Sequence, residues 1–158
     1  MKRVLPLVLL ACGVAHAGKP KKPKLKLTSV FTPLPPSKAC TAGEDGQSCP
    51  GRDDYKVLVG KAPAGVYLRV HKGELAVDLP DGTKLGPQLE WRLADGVPFA
   101  VIARVEDGDG KRYVVRGLDG YLAIGGQVDA KDKRAGKKAQ ELADAGYAAA
   151  KPLPDKKE

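Results

Sequence analysis

From Tyr55 to Ile124 the chain alternates apolar and polar residues, and Gly, Pro or Asp breaks the alternation about every ten residues. This constrains the fold most, because period two puts successive side chains on opposite faces of a strand. Tyr55–Val59 reads as a strand ending at Gly60. Val66, Leu68 and Val70 then fall on one face, with Tyr67, Arg69 and His71 on the other. Lys72-Gly73 turns the chain into Glu74–Leu79, which completes a hairpin. Pro80-Asp81-Gly82-Thr83 has the composition of a further turn. Gln88–Leu93 and Pro98–Val105 follow, joined by Asp95-Gly96, with Phe99, Val101, Ala103 and Val105 expected on one face. Arg112–Arg116 and Tyr121–Ile124 complete the series. Short, evenly spaced strands with Gly-rich turns predict a mainly β fold, a small antiparallel sandwich or barrel-like meander.

Residues 129–150 differ in kind. Ala, Lys, Gln, Glu and Leu dominate, which predicts one C-terminal helix over Lys137–Ala149, docked on the sheet through Leu142 and Tyr147. Gly136 and Gly146 each weaken that helix by about 1 kcal/mol relative to Ala. Residues 151–158 read as a frayed tail.

The N-terminus carries a different kind of information. Lys2 and Arg3 precede the apolar stretch Val4–Val14, and Ala15-His16-Ala17 has the A-x-A form of a signal peptidase site. Residues 1–17 therefore read as a secretory signal cleaved between Ala17 and Gly18, giving a periplasmic or secreted protein. Leu9-Leu10-Ala11-Cys12 also loosely resembles a lipobox, which would lipidate Cys12; the bulk of Leu10 and the shortness of the preceding segment weigh against it. No apolar run reaches the roughly 18–20 residues of a membrane-spanning helix.

Cleavage changes the inventory. Cys12 and His16 leave, and Cys40, Cys49 and His71 remain. In an oxidising compartment Cys40 and Cys49 are expected to pair, closing the polar segment Thr41–Ser48. Such a loop stabilises the fold by about 2–3 kcal/mol on the chain-entropy model. Residues 18–39 hold six Lys and no acid, interspersed with Pro, which reads as an extended linker. Lys19, Lys21, Lys22, Lys24 and Lys26 form a candidate electrostatic tether to an anionic surface, each contributing on the order of 1 kcal/mol at low salt. The net charge of +8 sits in these two segments, because residues 40–158 carry 19 cations and 19 acids. The β domain, 40–128 with its disulfide loop, and the helical region are therefore neutral together, and attraction to polyanions belongs to the leader.

No complete catalytic or metal-binding motif is present. His71 is the only mature His, and it lies on the polar side of a strand. Ser29, Ser37 and Ser48 lie in the linker or disulfide loop, with no G-x-S-x-G elbow. Asp107-Gly108-Asp109-Gly110 fails as a calcium loop, because Lys111 and Leu118 occupy positions that need oxygen ligands; it reads as a hairpin turn. Gly125-Gly126 lacks the context of a nucleotide loop. Glu74, Asp78 and Glu90 lie on strands, but no spacing selects a catalytic pair. Tyr67, Arg69, Arg92, Arg104 and Arg116 project from strands and form a candidate binding face if neighbouring strands align.

Cys49-Pro50-Gly51 with Tyr55, Leu58 and Val59, then Leu85-Gly86 with Leu89-Glu90-Trp91-Arg92, then Pro98, Ala100, Ile102 and Arg104-Val105, resemble a group of uncharacterised exported proteobacterial proteins. The resemblance spans roughly residues 49–105, implies export and a shared small domain, and brings no activity. Trp91, the only Trp, is expected to anchor the core. The expectation for function is a non-enzymatic binding or structural protein of the cell envelope, without cofactor. Its partner would be a protein or envelope polymer, not nucleic acid. An inhibitor of a secreted hydrolase and a cryptic carboxylate-dependent hydrolase are the alternatives.

Overall fold

The computed structural model describes residues 24–63, 65–82 and 84–150. Residues 1–17, expected to be a signal sequence, Lys19, Lys21, Lys22 and residues 151–158 lie outside the described residues. The strands are β1 (Leu27–Pro33), β2 (Thr41–Gly43), β3 (Gly46–Cys49), β4 (Lys56–Ala62), β5 (Gly65–Lys72), β6 (Leu75–Gly82), β7 (Lys84–Ala94), β8 (Val97–Asp107), β9 (Gly110–Gly117) and β10 (Gly125–Asp129), followed by the helix α1 (Ala135–Ala149). They form two antiparallel five-stranded sheets, ordered β1-β7-β8-β9-β10 and β2-β3-β4-β5-β6. The fold is mainly β, a small sandwich with one C-terminal helix, as the alternation predicts.

The sheets enclose one core. Val57, Leu68, Val70 and Leu79 meet Leu89, Trp91, Val101 and Val105, all buried. Trp91 has no exposed surface, its indole N–H donates to Thr32 Oγ1 at 2.9 Å, and its ring lies 5.9 Å from that of Tyr55. The bond to Thr32 satisfies the one polar atom of a large apolar side chain. A second core fills the opposite face of the first sheet, where Phe99, Ile102, Val115 and Ile124 pack against Ala139 and Ala143 of α1. The molecule is therefore three layers: sheet, sheet, helix. β8 lies at the centre, and every residue from Pro98 to Ala103 is buried.

The helix begins two residues earlier than the composition suggests and docks through Leu142 and Tyr147 as expected. Its buried residues are Ala135, Ala139 and Ala143, a stripe at four-residue spacing that brings the helix axis close to the sheet. Gly146 has a packing reason as well, since a β-carbon there would lie 2.8 Å from Ile124 Cγ1. The disulfide Cys40–Cys49 is formed, and the segment it closes is the β2–β3 hairpin.

Four expectations are corrected. Residues 18–39 are not linker throughout, because Leu27–Pro33 is β1, paired along its length with β7. Lys and Pro around it mask the alternation of Leu27, Ser29 and Phe31 with Thr28, Val30 and Thr32. Pro80–Gly82 is the end of β6, which tolerates Pro because it is an edge strand. Tyr121–Ile124 is a compact turn: the Gly117 amide donates to Ile124 O at 2.8 Å, and the Tyr121 ring stacks 5.1 Å from Tyr147. Phe99 leaves the face of Val101, because Arg92 pairs with Ala100 and Leu93 with Pro98, so Phe99 is the extra residue of a bulge. The bulge directs Phe99 into the helix-side core, 4.6 Å from the Tyr147 ring.

Gly117 marks the tightest point of that core. A β-carbon there would lie 1.8 Å from Tyr121 O, a backbone atom that cannot rotate away. Gly117→Ala is expected to lower stability by about 1–3 kcal/mol, read as a lower midpoint in urea unfolding.

Candidate functional site

The helix side of the first sheet holds the main polar cluster. Ser29 on β1 and Glu90 and Arg92 on β7 share this face, and α1 lowers Gln140 and Asp144, one turn apart, onto them. The Arg92 side chain is 8% exposed and that of Asp144 27%. Arg92 Nε donates to Asp144 Oδ1 at 3.0 Å, and Nη2 reaches Oδ1 at 2.7 Å and Oδ2 at 2.6 Å. This is the bidentate arrangement a planar guanidinium favours. Arg92 Nη1 donates to Ser29 Oγ at 2.7 Å, and the Ser29 hydroxyl donates onward to Glu90 Oε1. Gln140 Nε2 donates to the same Glu90 oxygen at 2.7 Å. One hydroxyl thus links a buried cation to a buried carboxylate, and two helix residues close the chain of bonds at both ends.

Beyond Gln140 the sheet is not covered. A cleft of about 140 Å³ opens there, walled by Phe31, Gln88, Glu90, Ile102, Arg104 and Tyr113. Phe31 is 51% exposed, and Arg104 is exposed opposite Tyr113 on β9. Gly86 permits this placement, since a β-carbon there would lie 2.9 Å from Arg104 Cβ. The cleft combines two aromatic rings, an aliphatic floor, a cation and a carboxylate. Such a surface suits a ligand with an anionic group and an apolar body.

The expected five-residue binding face does not exist as one surface. Tyr67 and Arg69 lie on the outer face of the second sheet; Arg92 and Arg104 lie on the helix side of the first. Arg116 lies on β9 with the parity of Val114, away from the helix, and its Nη1 donates to Val115 O at 3.0 Å. Tyr67 and Arg69 have the solvent-facing parity the alternation predicts, but Arg92 is buried, Arg116 has the parity of the inter-sheet core, and the division into two sheets separates the residues. The Tyr67 hydroxyl donates to Asp45 O at 3.0 Å. Arg69 forks onto Asp78 at 2.6 and 3.0 Å. Hydrogen bonding to Arg69 holds the Asp78 carboxyl below the usual carboxylate range, despite a smaller opposing effect of burial. A depressed value in the folded state makes this contribution present above the unfolded range and lost as pH falls through the folded one. Both side chains are largely solvated, so the pair contributes less than about 1 kcal/mol.

Burial, and then a hydrogen bond with Tyr121, push the Tyr147 hydroxyl above its ordinary value. The Asp107–Asp109 segment is the β8–β9 turn, as read: the Asp109 amide donates to Asp107 Oδ1 at 3.0 Å. Among the described residues no three His, Cys, Asp or Glu come together to hold a metal.

Sequence reasoning places Ser29 in a linker and does not reach Phe31, Gln140, Asp144 or Tyr113. The signals that would have found them are the alternation within 27–32 and the four-residue spacing of Gln140 and Asp144.

Asp144→Ala leaves the Arg92 guanidinium largely buried without its counter-charge. It is expected to cost about 2–4 kcal/mol in denaturant unfolding, and the added change Arg92→Met should recover part of the loss. Compared with protein-family models, curated proteins and solved structures, the chain finds no match.

Proposed function

We propose that the protein is an exported, non-enzymatic binding or structural module of the cell envelope, periplasmic or secreted, held at an anionic surface by its Lys-rich N-terminal segment. One observation carries the reading: the segment that holds the cationic excess runs straight into the sheet. Lys24 and Lys26 are exposed, and Lys26 is already hydrogen-bonded through its backbone to Asp95, by N–H to Oδ1 at 2.9 Å and by C=O to N–H at 2.9 Å. An electrostatic hold on the leader is therefore passed to a packed domain. The disulfide fits an oxidising compartment, and no described helix is long and apolar enough to cross a membrane.

The recognition surface of this reading is the Phe31–Arg104–Tyr113 cleft, which takes the place of the dispersed Arg/Tyr face. Its preferred ligand is an anionic group of an envelope polymer, met by Arg104. Of the three carboxylates expected on strands, Glu90 bonds Ser29 and Gln140 and Asp78 bonds Arg69, while Glu74 lies in the turn before β6. This favours binding over carboxylate chemistry.

The test replaces Lys19, Lys21, Lys22 and Lys24 together with Gln, leaving Lys26 and β1 intact. At about 1 kcal/mol per Lys at low salt, retention by anionic vesicles should fall by two orders of magnitude or more, and the protein should move from the envelope to the soluble fraction. Unchanged retention would remove the tether from this reading.

A further inference from the structure

We propose that the free edge of β1 is a homodimer interface, at which a second copy of this chain adds its own β1 antiparallel. β1 ends the first sheet and, among the described strands, pairs with β7 alone. The phase of that pairing is fixed at both ends. Lys26 O accepts from the Asp95 amide, and the Leu34 amide donates to Pro87 O, each at 2.9 Å. Antiparallel bonding alternates, so Thr28, Val30 and Thr32 bond inward, and the N–H and C=O groups of Leu27, Ser29 and Phe31 point outward.

A free edge invites another strand unless the chain defends it. The other edges are defended. β10 has five residues, two of them Gly, ends at Asp129 and lies under α1. β6 carries Asp78 and Pro80 and is bulged against β5. β2 has three residues. β1 has no charge, no Pro before Pro33, and a Phe31 that is 51% exposed.

The outward residues are also self-complementary. A two-fold axis at Ser29 sets Leu27 opposite Phe31 of the second copy, and the reverse. Each outward N–H and C=O of the three residues then finds a partner. Leu27 and Phe31 share the helix side of the strand, so the pairing covers apolar surface that β1 alone leaves open. The antiparallel sense also separates the cations. The two Lys26 residues stand at opposite ends of the ribbon, about 20 Å apart at strand rise, beyond a Debye length of about 8 Å. A parallel pairing would set the leaders side by side.

The test uses the whole mature chain, Gly18–Glu158. Sedimentation equilibrium should give the mass of two chains at about 100 μM, a concentration at which a specific contact of modest strength is populated. Phe31→Lys, which puts a charge on the edge, and Phe31→Pro, which removes an outward N–H, should each raise the dimer dissociation constant at least about tenfold. Unchanged emission of the buried Trp91 shows that the variants remain folded. In the unaltered chain the amides of Leu27, Ser29 and Phe31 should exchange more slowly as concentration rises, which tests the edge without any substitution. A chain that stays monomeric up to about 1 mM, a dimer indifferent to both variants, or a dimer without protection at these three amides overturns the proposal.

Discussion

The centre of the first sheet is buried on both faces, and the rest of the structure depends on that. β8 supplies both cores at once, with Val101, Ala103 and Val105 toward the second sheet and Ala100 and Ile102 toward α1. A strand of this kind cannot face water on either side without exposing several apolar side chains, each costing about 1.5–3 kcal/mol. The second sheet covers one face, and only α1 is left to cover the other. The helix has neither a side-chain N-cap nor an acidic first turn, so its own termini contribute little to its stability. Packing stabilises it instead. Ala139 and Ala143 are fully buried, and the glycines at 117 and 146 remove side chains where turn and helix approach most closely. The Phe99 bulge belongs to the same solution, since it gives the helix-side core a large ring from a position whose parity points to the other core.

A polar chain of bonds then fixes where the helix lies. Apolar contact alone is tolerant of sliding, whereas the fork of Arg92 on Asp144 has one good geometry. Gln140 on Glu90 adds a second point one turn away, and two points on one helix face set both its rotation and its position along the axis. Ser29 brings β1 into the same network by accepting from Arg92 and donating to Glu90. The edge strand and the helix are thereby coupled through β7, although each reaches the sheet from a different end of the sequence. Burying Arg92 carries a desolvation cost, and the completeness of its hydrogen bonding offsets it.

The sequence disclosed what local pattern controls. The hairpin of Val66–Leu79, the turn at Asp95-Gly96, the core role of Trp91, the helix and the Cys40–Cys49 bridge all rest on spacing within a few residues. The failures share a cause, which is dependence on a partner far away in sequence. β1 is a strand because β7, about 60 residues on, offers it an edge; its own flanks read as linker. Tyr121 is withdrawn from a strand pattern because Phe99 and Tyr147 claim its ring. The Arg/Tyr face fails at the level of sheet assignment. Parity within each strand was right for Tyr67 and Arg69, but alternation does not say which strands share a sheet.

The position of β1 also bears on how large an assembly can grow. A single open edge whose outward groups pair about a two-fold axis is an isologous contact, and such a contact closes at two copies. Pairing would make β1 an interior strand, and the edges left on the extended sheet would be the two β10 strands, each short and packed under its own helix. The leader reinforces closure. Five of its six lysines precede the strand, so they oppose in-register parallel stacking, the geometry that fibres favour, and spare the antiparallel pair. Joined this way, the two Lys26 residues would stand at opposite ends of the ribbon, so the proposed anionic surface would meet two points of attachment. If the proposed tether and the proposed pairing both hold, two weak electrostatic contacts on one body would retain it far better than either would alone, so the undefended edge and the cationic segment would act in the same direction.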